Sequence, residues 1–134
     1  MNVIVVGCGR VGARIAMSMD QSGHKVCVVE IDAKATRRLS NEYRGNVVIG
    51  TGIDEDILRS AGIEEADVFF AVTDGDNTNI MCAQIAHRVF EVDRVVARIY
   101  DPVREETYRR MGIDTVCPTT TIASLMISAA QSGN

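Results

Sequence analysis

The sequence predicts an α/β fold wound on both sides of a parallel sheet, and three observations predict it. Apolar runs of strand length alternate with segments of helical period along all 134 residues. Those runs hardly alternate between apolar and polar, as strands read when helices cover both faces of a sheet. The strand–helix alternation also occurs in each half of the chain, which points to two β-α-β-α-β halves.

The elements follow in order. Asn2–Val6 is the first strand, and Arg10–Gln21 a helix with Val11, Ile15, Ala16 and Met19 on one stripe. Gly23 stops that helix. Lys25–Glu30 is the second strand, about Ala33–Tyr43 a polar helix carrying Arg37 and Arg38, and Val47–Ile49 a short third strand. Asp54 caps a short helix that ends at Gly62. Asp67–Thr73 is a strand, Asp76–Val89 a largely apolar helix, and Arg94–Ile99 a strand. Pro102 opens a helix running to Met111 and stopped at Gly112, since proline suits the first helical position. Asp114–Cys117 is a last short strand, and Pro118 starts a final helix through about Gln131. No linker or low-complexity segment interrupts the pattern, so residues 1–134 are expected to form one domain.

Composition narrows the function classes. Hydrophobic residues make up 46% of the chain and charged residues 24%, with a net charge of −4. That balance argues against nucleic acid as a partner, because no basic excess is present to neutralise phosphates. Three Phe, three Tyr and no Trp leave few platforms for base stacking. Met1 leads into Val3–Val6 without a basic stretch, and no apolar run reaches the roughly 18–20 residues that span a bilayer. A cytoplasmic protein is expected. Cys8, Cys27, Cys82 and Cys117 form no C-x-x-C, and His24 and His87 are far from them in sequence; buried reduced thiols are expected, and no metal site.

The chemistry centres on Gly7–Cys8–Gly9–Arg10–Val11–Gly12, a G-x-G-x-x-G run that follows a strand and opens a helix. Gly7 serves the tight turn, Gly9 lets backbone approach a pyrophosphate, and Gly12 lets helix pack on strand. The helix end offers free N–H groups and partial positive charge to the phosphate. The fold expected is Rossmann-type, six strands in the order 3-2-1-4-5-6 with helices on both faces and a C-terminal crossover helix. Glu30 ends the second strand where a carboxylate accepts from ribose hydroxyls and repels a 2′-phosphate, with Asp32 as the fallback. NAD(H) or an adenine nucleotide (ADP, ATP or AMP) is therefore favoured over NADP(H). Arg10 either folds over a phosphate or stands exposed. Arg98, inside an apolar strand, needs a partner, either a structural carboxylate or the nucleotide.

These motifs carry a specific resemblance. GCGRVG at 7–12, VVEID at 28–32, VIGTGIDEDILRSAGIEEAD at 48–67, AVTDGDNTNIMCAQIAH at 71–87, VVARIYDP at 95–102 and RRMGIDTVCP at 109–118 resemble the regulator-of-K⁺-conductance family. These RCK, KTN or TrkA-N domains serve Trk and Ktr potassium transporters and ligand-gated K⁺ channels. The resemblance implies a nucleotide site of Gly7, Cys8, Gly9, Arg10 and Val11 on the loop and Glu30, Ile31 and Asp32 at the acid. Thr51, Gly52, Thr73 and Arg98 complete it. Glu30 stands where the family usually has Asp, and Thr51–Gly52 replaces the usual Asp-Ala beside the adenine, a departure that bears on nucleotide preference. A typical member carries a second, ligand-binding lobe beyond this point.

The last helix is apolar around its circumference, through Ile122, Ala123, Leu125, Met126, Ile127, Ala129 and Ala130. It either packs against another subunit, as the resemblance implies, or completes the sheet's outer layer. The expected function is a non-enzymatic regulatory domain, held at the inner face of the membrane by a K⁺ transporter or channel subunit, assembled as a dimer or larger homo-oligomer. The alternatives are a fragment of an NAD-dependent oxidoreductase and a nucleotide or redox sensor acting on another partner.

Overall fold

The computed structural model describes residues 1–132; the last two positions of the expected 1–134 domain lie outside the described residues. The strands are β1 (Asn2–Val6), β2 (Lys25–Glu30), β3 (Asn46–Ile49), β4 (Val68–Ala71), β5 (Arg94–Arg98) and β6 (Asp114–Val116). They form a single six-stranded sheet in the order β3-β2-β1-β4-β5-β6. Every pairing is parallel, with Val6 opposite Val29 on one side and Ala71 on the other. The helices are α1 (Arg10–Gln21), α2 (Glu55–Ser60), α3 (Asp76–Gln84), α4 (Pro102–Arg109) and α5 (Pro118–Gln131).

The unbroken apolar strands have a direct explanation. Successive residues of β1 enter two different cores: Val3 and Val5 pack with Ala13, Ala16, Val26 and Val28 on the α1 face. Ile4 and Val6 pack with Leu58, Ile63, Phe69, Ile80 and Ala83 on the other. A strand in such a position needs an apolar residue at every site, because both faces are dry.

Three segments differ from their sequence expectation. The helix expected over 33–43 is a 3₁₀ turn, Ala33–Arg38, in which no residue is fully buried. Within the turn only Ala35 packs against the core, and the chain turns extended at Leu39. Tyr43 then anchors the loop, its single hydroxyl proton shared between the carbonyls of Asn46 at 2.8 Å and Val26 at 3.2 Å. Strand β4 is shorter than 67–73, and at its far end Thr73 N leaves the ladder for the Asn79 side chain at 2.8 Å. The helix expected over 76–89 is α3 followed by a π-helical turn, Ile85–Val89, in which Phe90 N reaches back to Ile85 O at 3.2 Å. Asp54 caps α2 as expected, accepting from Asp56 N and Ile57 N at 2.8 and 3.4 Å.

Helix α5 does not complete the sheet's outer layer. None of its residues is buried, and Ile122, Leu125, Met126 and Ile127 are 54, 66, 68 and 58% exposed. No helix among the described residues is long and apolar enough to cross a membrane.

All four cysteines are buried and unpaired. Burial pushes the Cys27 thiol up to about 11 and the Cys82 thiol up to about 12, from an ordinary 9.0. Burial, then the Glu30 carboxylate, raises Cys8 as well. The folded chain therefore keeps protons that the unfolded chain releases above pH 9, so this stability is full below pH 9 and is lost as pH rises toward 12. At about pH 10.5, Cys27 and Cys82 should each cost roughly 2 kcal/mol. Melting curves at pH 8 and 10.5 measure this, and Cys82→Ala should recover part of the loss.

Candidate functional site

A cavity of about 760 Å³ opens at the carboxyl ends of β1, β2, β4 and β5, where the strand order reverses direction. All twelve residues expected from sequence border it: Gly7, Cys8, Gly9, Arg10, Val11, Glu30, Ile31, Asp32, Thr51, Gly52, Thr73 and Arg98. Each wall has its own physical cause.

The first wall is the glycine loop. Gly7 has φ +107°, and a Cβ there would stand 2.7 Å from the Val72 carbonyl oxygen. A Cβ on Gly12 would overlap the Gly7 carbonyl. Both glycines are thus demanded by the protein's own packing. Gly9 is different: a Cβ there meets nothing within 4 Å. Its lack of a side chain leaves open space in the cavity and serves no internal contact.

Helix α1 starts from this loop. Its first intrahelical bond runs from Ala13 N to Gly9 O at 2.9 Å, leaving the N–H groups of Arg10, Val11 and Gly12 without i−4 partners. No side chain caps the end, and no acidic residue lies in the first turn. The positive end of α1 is left for an anion from outside the chain. Arg10 is exposed there and pairs with no carboxylate among the described residues.

The second wall holds the acid. Glu30 Oε1 accepts from Cys8 N at 2.6 Å, and Oε2 accepts from Asp32 N at 2.9 Å. The carboxylate thus clasps the glycine loop to the turn after β2, and each oxygen keeps a second lone pair. Asp32 caps the 3₁₀ turn by accepting from Lys34 N at 3.0 Å. Ile31 is 72% exposed at the rim. Arg38, which sequence reasoning did not place in the site, borders the cavity and donates from Nη1 to Cys8 O at 3.4 Å.

Thr51 and Gly52 form the third wall, beyond β3. Gly52 is buried, and a Cβ there would stand 2.5 Å from Val6 Cγ1 and 2.9 Å from Cys82 Sγ. Packing therefore explains that glycine. The Thr51 hydroxyl accepts weakly from Ile53 N at 3.4 Å, so its proton remains to be donated.

The fourth wall joins β4 to β5. Arg98 Nη2 donates to the carbonyls of Val72 and Thr73 at 3.1 and 2.8 Å, and Asp74 Oδ1 lies 3.8 Å away. Backbone is its main partner, which neither sequence expectation named. Its guanidinium also lies 5.0 Å from the Tyr100 ring centroid. Asn79 holds the wall together. Fully buried, it accepts from Thr73 N and Oγ1 at 2.8 and 2.6 Å and donates to Thr73 O and Arg98 O at 3.0 and 2.9 Å. Asn79, Asp74 and Arg38 were all missed from sequence. Only Asn79 left a signal, a polar residue beside Ile80 and Ala83 on an apolar stripe.

The histidines stand apart. His24 Nδ1 is 3.0 Å from the Met1 amine, and His87 lies beneath Gly112, whose Cβ position is 2.8 Å from Nε2. Among the described residues no three His, Cys, Asp or Glu side chains gather where they could hold a metal ion.

Comparison with known proteins gives a consistent answer. The TrkA-N domain family matches residues 3–119. The chain is 47% identical over 127 residues to the Trk system potassium uptake protein TrkA of Streptomyces coelicolor, covering 95% of this chain and 57% of that protein. A Trk system potassium uptake protein TrkA homolog of Methanothermobacter thermautotrophicus is 34% identical over 116 residues, covering 87% and 53%. The chain thus spans about half the length of these curated relatives. The TrkA-N domain of the inner membrane protein YbaL from Escherichia coli superposes with a TM-score of 0.85 at 20% identity, covering 96% of this chain and 95% of that one. The AMP-bound Kef C-terminal domain of Shewanella denitrificans gives 0.81 at 22%, covering 100% and 83%. The GsuK channel bound to NAD gives 0.74 at 20%, covering 90% and 22%. At these identities the solved structures establish the shared fold.

The glycine geometry makes a sharp prediction. Gly9→Ala should leave the melting free energy within about 1 kcal/mol of the parent, because the added methyl meets nothing. Gly7→Ala should cost at least about 2 kcal/mol through strain at positive φ and contact with backbone. Equal losses in thermal unfolding would contradict the division of roles.

Proposed function

The chain belongs to the TrkA-N domain family, and on that premise we propose that residues 1–134 form a nucleotide-binding regulatory domain of a potassium transporter or channel. The observation that carries this reading is the open N-terminus of α1 beside Gly9, with Glu30 clasped to the same loop. The relatives named as potassium uptake proteins support the transport role, and neighbours solved with AMP or NAD support the ligand class.

NAD(H) is the ligand favoured, with ADP, ATP or AMP as alternatives. The free N–H groups of Arg10, Val11 and Gly12, with the Arg10 side chain beside them, would take phosphate oxygens. Glu30 would accept from ribose hydroxyls through its remaining lone pairs, and Ile31, Thr51 and Gly52 would border the base. Thr73 and Arg98 would meet the far end of the ligand. A non-enzymatic role is supported by the relatives, which are named as potassium uptake proteins.

The output would run through α5. Its exposed apolar residues need cover, and a second copy of the chain supplies it in the homo-oligomer proposed here. The membrane-embedded K⁺ subunit would hold the assembly at the cytoplasmic face. A nucleotide shifts such an assembly only through its differential affinity for two arrangements.

Two measurements test this. NAD⁺, NADH, ADP, ATP or AMP should raise the melting temperature, by the equivalent of about 2.7 kcal/mol at 100-fold excess over Kd. Glu30→Ala should lose most of that gain. An unchanged response in the variant sinks the ribose assignment. Leu125→Glu with Met126→Glu should shift the sedimenting species toward monomer without unfolding the sheet, because both side chains are exposed in the single chain.

A further inference from the structure

The crevice has two ends of opposite character. Glu30 closes β2 and Arg98 closes β5, three strand positions apart, about 14 Å at ordinary strand spacing. A nucleoside monophosphate anchored at Glu30 and the glycine loop covers only the first end. Longer nucleotides extend across the reversal point toward the second.

The second end carries an imperfectly compensated cation. The Arg98 side chain is only 12% exposed. Its Nη2 is spent on two backbone carbonyls, and its Nε is buried with no hydrogen-bond partner. Backbone carbonyls do not cancel a unit charge, and a buried cation calls for a carboxylate or another anion. Among the described residues Asp74 is the single carboxylate in range. At 3.8 Å it lies beyond hydrogen-bond distance, and its side chain is fully exposed. Asp74 sits between Thr73, locked to Asn79, and Gly75, in the loop joining β4 to α3. It also borders the cavity.

We propose that Asp74 is a specificity-determining residue of the crevice, an exposed counter-ion that competes with the anionic end of a bound nucleotide for Arg98. The proposal rests on the nucleotide reading above. A terminal phosphate must displace the Asp74 carboxylate from Arg98 or pay for its repulsion. A ligand whose distal group is a cation, such as the pyridinium of NAD⁺, instead gains from the same carboxylate. AMP, lacking a distal group, is indifferent to it.

Asp74→Asn tests this, since an exposed side chain with no hydrogen bond to lose leaves folding intact. Titration calorimetry with AMP, ATP and NAD⁺ reads the effect. ATP should bind about two- to fivefold more tightly than to the parent, AMP within error of the parent, and NAD⁺ more weakly. The gain for ATP should shrink as salt is raised. Equal changes for all three ligands, no change, or a loss for ATP would overturn the proposal. If the parent protein binds none of them, the nucleotide reading fails instead, and the two failures are distinct.

Discussion

The structure depends on one close approach, that of α1 to the end of β1. Gly12 lies against the Gly7 carbonyl, and Gly7 lies against the backbone of Val72 and Thr73. A single methyl group at either position is incompatible with this packing. The approach brings the positive end of α1 to the centre of the sheet, where the strand order reverses. Glu30 then fixes the loop from the side by accepting Cys8 N at 2.6 Å. A charge-assisted bond of this kind contributes about 1.5–3 kcal/mol. The acid is therefore a structural clasp, and in the function proposed above the same carboxylate is the ribose acceptor.

The rest of the crevice is built by polar locks on a dry sheet. With both faces of β1 covered, the strand ends are the places where polar chemistry can reach solvent. Asn79 uses all four of its hydrogen bonds to tie the end of β4 to the end of β5. Asp76 does the same for the next loop, accepting from Tyr100 N and Asp101 N at 2.8 and 3.0 Å. A crevice so fixed is preorganised: little conformational entropy remains to be lost when a ligand enters.

Helix α5 stands outside this economy. Its apolar residues contribute nothing to the core of a single chain, whereas every other apolar segment does. Such a helix is a stable element only with a partner surface. The molecule thus separates a crevice fixed by polar locks from an exposed apolar helix.

The sequence by itself determined the sheet, its order and the location of the crevice. Those follow from local signals, namely apolar strands, Gly7, Gly9, Gly12, and Glu30 at the right spacing. Helix ends were legible for the same reason, through Asp54, Pro102 and Gly112. Only the tertiary structure decided which partner each polar group took. The sequence could name Arg98 as needing a partner. It could not show that the carbonyls of Val72 and Thr73 would provide it, because those carbonyls carry no sequence identity. Arg38 reaches Cys8 across thirty positions of chain, and Asn79 reaches Arg98 across nineteen. The 3₁₀ turn at Ala33–Arg38 was likewise settled by packing, since Ala35 is the one apolar residue of the turn that rests against the core. The glycine loop was legible as a motif, but its division of labour was not. Gly7 and Gly12 are fixed by contacts from β1 and β4, and Gly9 alone is left open, which only the packed fold could reveal.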